Sequence, residues 1–141
     1  SIDEATLARW KAEGVVDVAG PSTDIPGEYA SSHIAVLPSY REGLPKSLLE
    51  AAAAGPAMVA TDGPGCREVC RDGETGLLVP ARSVEPLADA LEKLAKDEDL
   101  RKRMGEAARR IATEEFAEDI IVGQTLNLYR SMLTANTPGR R

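Results

Sequence analysis

Two glutamates, Glu42 and Glu50, flank a Gly-Leu-Pro-Lys-Ser segment in the stretch YREGLPKSLLEAAAAG. A carboxylate can accept two hydrogen bonds from a vicinal diol such as a ribose, so such a pair could hold a sugar-containing ligand. The spacing of the two is a weak signal by itself, because Glu98–Glu106 and Glu106–Glu114 repeat it in charge-rich segments that we interpret as solvated helix. The first pair differs in its surroundings, where an apolar strand, a glycine turn and a helix start follow one another.

The segment after the apolar run HIAVLPS, residues 33–39, has the features of a loop that leads into a helix. Gly43 allows a close backbone approach or a positive φ, and Pro45 suits the first helical position because no N–H is needed there. Free backbone amides and the positive end of the helix dipole then form an anion site, for which phosphate is the usual occupant. The residues expected to offer these amides are Lys46, Ser47 and Leu48, and the Lys46 ammonium would add a positive charge.

In an open parallel sheet, ligands bind beyond the carboxyl ends of the strands. Glu50 falls about one turn into the predicted helix, on the side that faces such a cleft. Glu42 lies in the loop itself, where it could meet sugar hydroxyls. A second loop, Gly63–Gly65, follows the next strand at the same edge. The residues alone leave both a structural role and a ligand role open for the two loops.

The elements that would position these loops are short apolar runs that alternate with longer helical patterns. The nearly continuous apolar character of Ile34–Leu37 suits a parallel strand that is covered on both faces. The repeated alternation predicts an α/β fold with a mostly parallel sheet of about four strands flanked by helices. The predicted strands are 15–20, 33–39, 57–62 and 75–80, and the predicted helices are 3–13, 25–32, 46–54, 65–72, 84–96, 98–114 and 117–133.

The composition is that of one soluble globular domain. The chain has 141 residues, of which 43% are hydrophobic and 28% are charged, and this length suits a modest core. The net charge of −6 argues against a nucleic-acid-binding surface, which is normally basic. The basic cluster at 101–110 is mixed with acidic residues, and we interpret it as a solvated helix face.

The cysteines and the histidine bear on metal binding and on the cellular compartment. Cys66 and Cys70 lie four positions apart and His33 is the single histidine, so a structural zinc site is not expected. Buried or half-buried thiols in a reducing compartment are the simpler interpretation. No apolar run approaches the roughly 20 residues that span a bilayer and no secretory signal is visible, so we expect a cytoplasmic location.

Three segments in order resemble the carboxyl-terminal half of the family-four retaining glycosyltransferases of the GT-B type. They are LPSYREGLPKSLLEAAAAG, VATDGPGCREVCRDGETGLLVP and a helical tail that ends in TLNLYRSML. The resemblance covers about Val15 to Leu133, and the version REGLPKSLLEA is similar to a subgroup that builds bacterial surface polysaccharides and glycan-lipid intermediates, often from UDP-linked sugars. It implies a Rossmann-like, three-layer, nucleotide-sugar-binding domain over residues 1–134, followed by a frayed tail at 135–141.

The resemblance also implies roles for individual residues. Glu42 corresponds to a glutamate that positions the donor sugar near the reacting centre without acting as a nucleophile. Glu50 corresponds to a glutamate that binds the nucleotide ribose. The segment that holds the sugar hydroxyls and the diphosphate corresponds to Gly43, Leu44 and Pro45 and the amides of Lys46, Ser47 and Leu48.

One of these positions departs from the family pattern. Many relatives have glycine at the place of Pro45, which cannot donate an N–H, so one sugar contact must differ or come from Lys46. The chemistry of the family needs no metal ion or other cofactor. Backbone amides and basic side chains stabilise the departing diphosphate instead.

The resemblance further implies the function and the partners. The parent enzyme would transfer a hexosyl or N-acetylhexosaminyl group, with retention of configuration, to a glycan or lipid-linked acceptor in polysaccharide synthesis. It would hold the acceptor in a preceding domain and work in the cytoplasm, at the inner face of the membrane if it associates with one. That domain is not found in the sequence, and neither are the two opening strands of the donor domain, which would lie in the sheet between the strands at 15–20 and 33–39. We therefore expect the chain alone to be inactive and its open sheet edges to favour homo-oligomers.

Two other classes of protein remain as alternatives. One is a non-catalytic α/β module that keeps the glycine turn for packing or for binding a partner. The other is a nucleotide-sugar epimerase, which shares the donor site but would need further histidine and acidic groups near the sugar. The single histidine, His33, argues against the epimerase.

Overall fold

The computed structural model describes residues 3–17, 19–20, 22–37 and 46–135. Helices and strands alternate along these residues, as the apolar pattern predicted. The helices are α1 (Glu4–Glu13), α2 (Ile25–Ala30), α3 (Lys46–Ala54), α4 (Pro64–Val69), α5 (Val84–Lys96), α6 (Glu98–Glu115) and α7 (Ala117–Ala135), and the strands are β1 (Ile34–Leu37), β2 (Ala57–Thr61) and β3 (Gly76–Val79).

The strands form one parallel sheet in the order β1-β2-β3, which confirms the predicted fold class. The central strand β2 is buried along its whole length, as expected for a parallel strand with helices on both faces. Leu37 pairs with Ala60, and Thr61 pairs with Val79. The carboxyl ends of all three strands therefore meet at one edge of the sheet.

Helices cover both faces of this sheet and complete three layers. Along β2, Met58 and Ala60 face one apolar cluster while Ala57 and Val59 face the other, because successive side chains of a strand alternate. Residues of α3, α4 and the end of α6 close the first cluster. Residues of α5 and the start of α6 close the second. The helix that follows β1 and the helix that follows β3 therefore lie on opposite faces.

The predicted strand at 15–20 is wrong for the residues described there. Residues 15–17 and 19–20 form no strand, and Val15 and Val16 are 73% and 40% exposed. An apolar run becomes a strand only when a neighbouring strand pairs with it. Within the described residues β1 pairs with β2 alone, so the sheet has three strands rather than about four and β1 forms an edge.

The predicted helices agree with the observed ones to within one turn. Asp3 begins α1 by accepting a hydrogen bond from the Thr6 N–H at 2.7 Å, and Asp97 begins α6 by accepting one from the Leu100 N–H at 2.9 Å. The last helix, α7, continues to Ala135, and the rest of the predicted tail lies outside the described residues. In the part of the chain that the structure describes, none of the helices is both long and apolar enough to cross a membrane.

Candidate functional site

Three helices begin just beyond the carboxyl edge of the sheet. α3 follows β1, α4 follows β2 and α5 follows β3. The first turn of each helix has backbone amides without partners inside the helix, and the positive end of the dipole lies there. This edge is the place where open parallel α/β sheets bind ligands.

The structure describes half of the predicted site. Glu42, Gly43, Leu44 and Pro45 lie outside the described residues. Lys46, Ser47, Leu48 and Glu50 all lie in the first turns of α3. The Leu48 side chain is fully buried in the core, so only its backbone could meet a ligand.

Glu50 and Lys46 form a loose ionic contact at the start of α3. The side chain of Glu50 is 20% exposed, whereas that of Lys46 is 48% exposed. Lys46 Nζ lies 3.9 Å from Glu50 Oε1, which is too far for a hydrogen bond. A contact of this kind stabilises a helix only slightly, so either group can turn towards a ligand at little cost.

Helix α2 adds a residue to this site that sequence reasoning missed. The Tyr29 ring packs against the apolar cluster beneath α3. Partial burial and the nearby Glu50 carboxylate raise the pKa of Tyr29 above its ordinary value of 10.0, and the Ser47 side chain has a smaller effect in the other direction. The phenol is therefore neutral at physiological pH. No spacing or periodicity predicts this contact, because it depends on how α2 packs against α3.

The loop that leads into α4 is braced by an ion pair. Asp62 accepts hydrogen bonds from Arg67 Nε at 2.6 Å and from Arg67 Nη2 at 3.3 Å, and its own N–H donates to the Val79 carbonyl at 2.8 Å. These Arg67 bonds lower the pKa of the Asp62 carboxyl below its ordinary value of 3.8. Gly63 is the cap of α4, which begins at Pro64. Of the two roles left open for Gly63–Gly65, the structural one accounts for these contacts.

Cys66 and Cys70 are both buried thiols, as expected from the sequence. Burial raises the pKa of the Cys70 thiol to about 12, so that it stays protonated. Among the described residues, no group of three or more His, Cys, Asp or Glu side chains is arranged to hold a metal ion.

A pocket of about 260 Å³ opens on the face of the sheet that α5 covers. Its walls include Val36, Val79 and Val84, together with Arg82 and Ser83. The described residues of the predicted site lie on α3, which packs against the other face of the sheet, and none of them lines the pocket. Sequence reasoning did not predict the pocket, because its walls come from strand ends and a helix start that are distant in the sequence.

Comparison with known proteins places these observations in a family. The family model described as "Glycosyl transferases group 1" matches residues 8–111. The match includes the described start of α3 and the whole sheet.

Two curated bacterial proteins are similar to the chain over most of its length. It is 42% identical over 130 residues to the exopolysaccharide phosphotransferase SCO2592 of Streptomyces coelicolor, covering 89% of the chain and 14% of that protein. It is 36% identical over 116 residues to the N,N'-diacetylbacillosaminyl-diphospho-undecaprenol alpha-1,3-N-acetylgalactosaminyltransferase of Campylobacter jejuni, covering 82% of the chain and 31% of that protein. The chain thus spans less than a third of the length of either relative.

One solved structure shows the same fold in a larger protein. The crystal structure of Anabaena HepE in complex with UDP matches with a TM-score of 0.76 and 23% sequence identity. The match covers 90% of the chain and 35% of HepE. At this identity the likeness establishes the fold.

Proposed function

The chain belongs to the group 1 glycosyl transferases, and on that premise we propose that it forms the nucleotide-sugar-binding part of a retaining glycosyltransferase. The position of Glu50 carries the proposal. This partly buried carboxylate lies in the first turns of a helix that begins at the carboxyl edge of a parallel sheet, where nucleotides bind in such folds. Its loose contact with Lys46 leaves both side chains available to a ligand.

Each group would take the role that its chemistry allows. The Glu50 carboxylate accepts hydrogen bonds from the two hydroxyls of the ribose. The amides at the start of α3 and the Lys46 ammonium receive the diphosphate, whose negative charge grows as the sugar departs. Glu42, together with Gly43, Leu44 and Pro45, positions the donor sugar. The scheme uses no metal ion or other cofactor.

The substrates we propose are a UDP-linked hexose or N-acetylhexosamine as donor and a glycan or lipid-linked sugar as acceptor. The Campylobacter relative is named for the transfer of N-acetylgalactosamine to an undecaprenol-linked sugar, and the HepE structure contains UDP. The acceptor would be held by another domain of a longer protein. Such a protein would act in bacterial polysaccharide synthesis, in the cytoplasm or at the inner face of the membrane.

A second candidate is a non-catalytic α/β module inside a larger protein. The Streptomyces relative favours it, because that protein is named as a phosphotransferase and the match covers only 14% of its length. In such a module the turn before α3 would serve packing or partner binding. The two candidates differ in their ligand, since only the donor site needs the Glu50 carboxylate to bind UDP.

Titration of the chain with UDP tests the donor site. We expect weak binding by the wild-type chain and at least about tenfold weaker binding by Glu50→Gln, because the substitution removes the charge-assisted hydrogen bonds to the ribose. Isothermal titration calorimetry or NMR chemical shifts at increasing UDP concentration would give the Kd of each protein.

The matched control is Glu114→Gln, which neutralises an exposed glutamate on α6. This control should bind UDP as the wild type does. Equal binding by the wild type and Glu50→Gln would contradict the donor role of Glu50. No binding by either protein would contradict the donor site as a whole and favour the non-catalytic module.

A further inference from the structure

The pocket of about 260 Å³ lies where the chain leaves two neighbouring strands for opposite faces of the sheet. From β2 the chain continues into α4, which packs on one face, whereas from β3 it continues into α5, which packs on the other. Thr61 and Val79 end these strands and pair with each other, and both line the pocket. Loops that diverge in this way at the carboxyl edge of a parallel sheet leave a crevice between them, and open α/β sheets bind ligands in such crevices.

Thr61 places a hydroxyl without a partner at this pocket. Its side chain lies on the same face of β2 as Ala57 and Val59, because successive side chains of a strand alternate, and the residue is only 5% exposed. Among the described residues, the Thr61 hydroxyl forms no hydrogen bond, whereas every fully enclosed side-chain oxygen does form one, so this hydroxyl opens to the pocket. A buried polar group without a partner costs free energy, and a ligand that bonds to it recovers that cost.

The first turn of α5 adds hydrogen-bond donors at the wall of the pocket. Ser83 precedes α5, but its hydroxyl donates to a backbone carbonyl in the preceding loop at 3.3 Å and does not cap the helix. The N–H groups of Val84 and Glu85 have no partner inside the helix and receive none from Ser83. The positive end of the helix dipole lies here, and Arg82, which also lines the pocket, adds a positive charge. This side of the pocket therefore favours a negatively charged oxygen.

The rest of the pocket favours a small apolar group. Its volume is below the roughly 300–1,000 Å³ of pockets that take drug-sized ligands, so a ligand the size of one substituted ring fits. The donors suit the two oxygens of a carboxylate better than the three of a phosphate, because Pro86 has no N–H and the Glu85 carboxylate lies in the same turn. The apolar walls are the side chains of Val36, Val59, Val79, Val84 and Leu87.

We propose that this pocket binds a small organic monoanion, whose apolar ring lies against the valine side chains and whose carboxylate accepts hydrogen bonds from the Thr61 hydroxyl and the first-turn amides of α5. None of the described residues of the proposed donor site lines this pocket. The inference therefore does not depend on nucleotide binding.

Benzoate is the probe for this site, and NMR chemical shifts of the backbone amides measure its binding to the chain. We expect saturable binding with a Kd on the order of 1 mM, because so small a ligand makes few contacts. The shift changes should centre on residues 79–87. Benzyl alcohol keeps the ring without the charge, and acetate keeps the carboxylate without the ring. Each should bind at least about tenfold more weakly than benzoate.

Thr61→Val removes the hydroxyl and keeps the shape of the side chain. We expect the Kd for benzoate to rise about three- to tenfold, which corresponds to the loss of one hydrogen bond. Thr113→Val, at an exposed position of α6, is the matched control and should leave the Kd unchanged.

A second variant places a negative charge beside the pocket without altering the core. Val84 is 81% exposed, and an acidic residue in the first turn of a helix is favourable, so Val84→Asp should fold as the wild type does. Its carboxylate should compete with benzoate for the amides and repel it, which raises the Kd at least about tenfold. Ala88→Asp adds the same charge at an exposed position one turn further along α5 and should bind benzoate nearly as the wild type does.

The outcomes separate this inference from the proposed function. The pocket proposal is overturned if benzoate does not bind the wild type, if Thr61→Val and Val84→Asp bind it equally well, or if benzyl alcohol binds as tightly as benzoate. Displacement of benzoate by UDP would overturn the separation of this pocket from the donor site. If benzoate binds as described and UDP does not bind, the proposed function is overturned and this inference stands.

Discussion

At the scale of single residues, Cys70 shows how strongly this core can alter a side chain. Its thiol is fully buried, and Sγ donates to the Leu77 carbonyl at 3.6 Å. Burial, with smaller effects of Asp72 and Cys66, raises the pKa of Cys70 from 9.0 to about 12. In the unfolded chain the thiol is exposed to water and titrates near its ordinary pKa.

This difference predicts that the free energy of unfolding falls as the pH rises from about 9 to about 12. In that range the unfolded chain has released the thiol proton and the folded chain still holds it, so a higher pH favours unfolding. The slope from this one group approaches about 1.4 kcal/mol per pH unit. Urea unfolding of the wild type and of Cys70→Ala, at pH values below and above 9, measures how the free energy of unfolding changes with pH.

Cys70→Ala should remove this part of the slope, and Cys66→Ala should retain most of it because burial of Cys70 is the main cause. Cys66→Ala is the matched control, since it removes the neighbouring buried thiol. The same pH dependence in the wild type and Cys70→Ala would contradict the prediction.

The site residues differ in how far the sequence could predict them. Lys46, Ser47 and Glu50 lie at the predicted helix start, because the start of a helix is encoded locally. Tyr29 could not be predicted, because its place against the cluster beneath α3 depends on how α2 packs against α3. The roles of Glu42 and its turn rest on the family resemblance alone.

At the scale of elements, α6 packs very closely against the turn that follows α3. A Cβ on Gly105 would overlap the Gly55 carbonyl oxygen, and Gly55 itself has a φ of +98°. Arg109 Nη2 donates to the Ala54 carbonyl at 3.2 Å and so bonds to the carboxyl end of α3. Helix α6 therefore fixes the far end of the helix whose first turn forms the candidate site.

Gly105→Ala should destabilise the chain by about 1–3 kcal/mol, because the new methyl group forces α6 away from the turn. In an unhindered helix interior the same change stabilises by about 1 kcal/mol. Urea unfolding gives the difference in the free energy of unfolding between Gly105→Ala and the wild type. Arg103→Ala, at an exposed position of α6, serves as control and should stay within about 0.5 kcal/mol of the wild type. A Gly105→Ala chain at least as stable as the wild type would contradict the prediction, because it would show that the turn at Gly55 can move to make room for the methyl group.

The elements themselves were mostly predictable, and the exception has a physical cause. β2 was recognisable because a strand buried on both faces is apolar throughout. The predicted helix at 98–114 was recognisable because Leu100, Met104 and Ile111 recur at helical spacing, and all three are buried. The run at 15–20 contains three valines, but a strand also needs a pairing partner, and its own residues do not reveal whether one is present.

At the scale of the whole molecule, the described side chains of α7 include a series of exposed apolar ones. Its first turn joins the core through Ile120. Beyond it, large apolar side chains that are 49–63% exposed recur at helical spacing, namely Ile121, Val122, Leu126, Leu128, Tyr129, Met132 and Leu133. An uncovered apolar face of this extent marks an interaction surface. Packing two such faces together would remove these side chains from water.

We therefore expect the chain to form dimers through α7. Leu128→Glu should weaken the dimer at least about tenfold, because pairing would then bury a carboxylate against apolar side chains. Sedimentation velocity over a range of protein concentrations measures the dissociation. Ala88→Glu, which adds the same charge to an exposed position of α5, is the matched control and should leave the dimer intact.

The open edge of β1 is the other route to self-association, and it is the one predicted from the sequence. Lysine on an edge strand opposes strand pairing, so Val36→Lys, at a residue 41% exposed on β1, tests that route.

If the dimer forms through α7, Val36→Lys remains dimeric while Leu128→Glu dissociates. The reverse pattern would assign the contact to the sheet edge, and a wild-type chain that is monomeric at every concentration would contradict both routes. Because the α7 face is wide and apolar while β1 is only four residues long, we expect the first pattern.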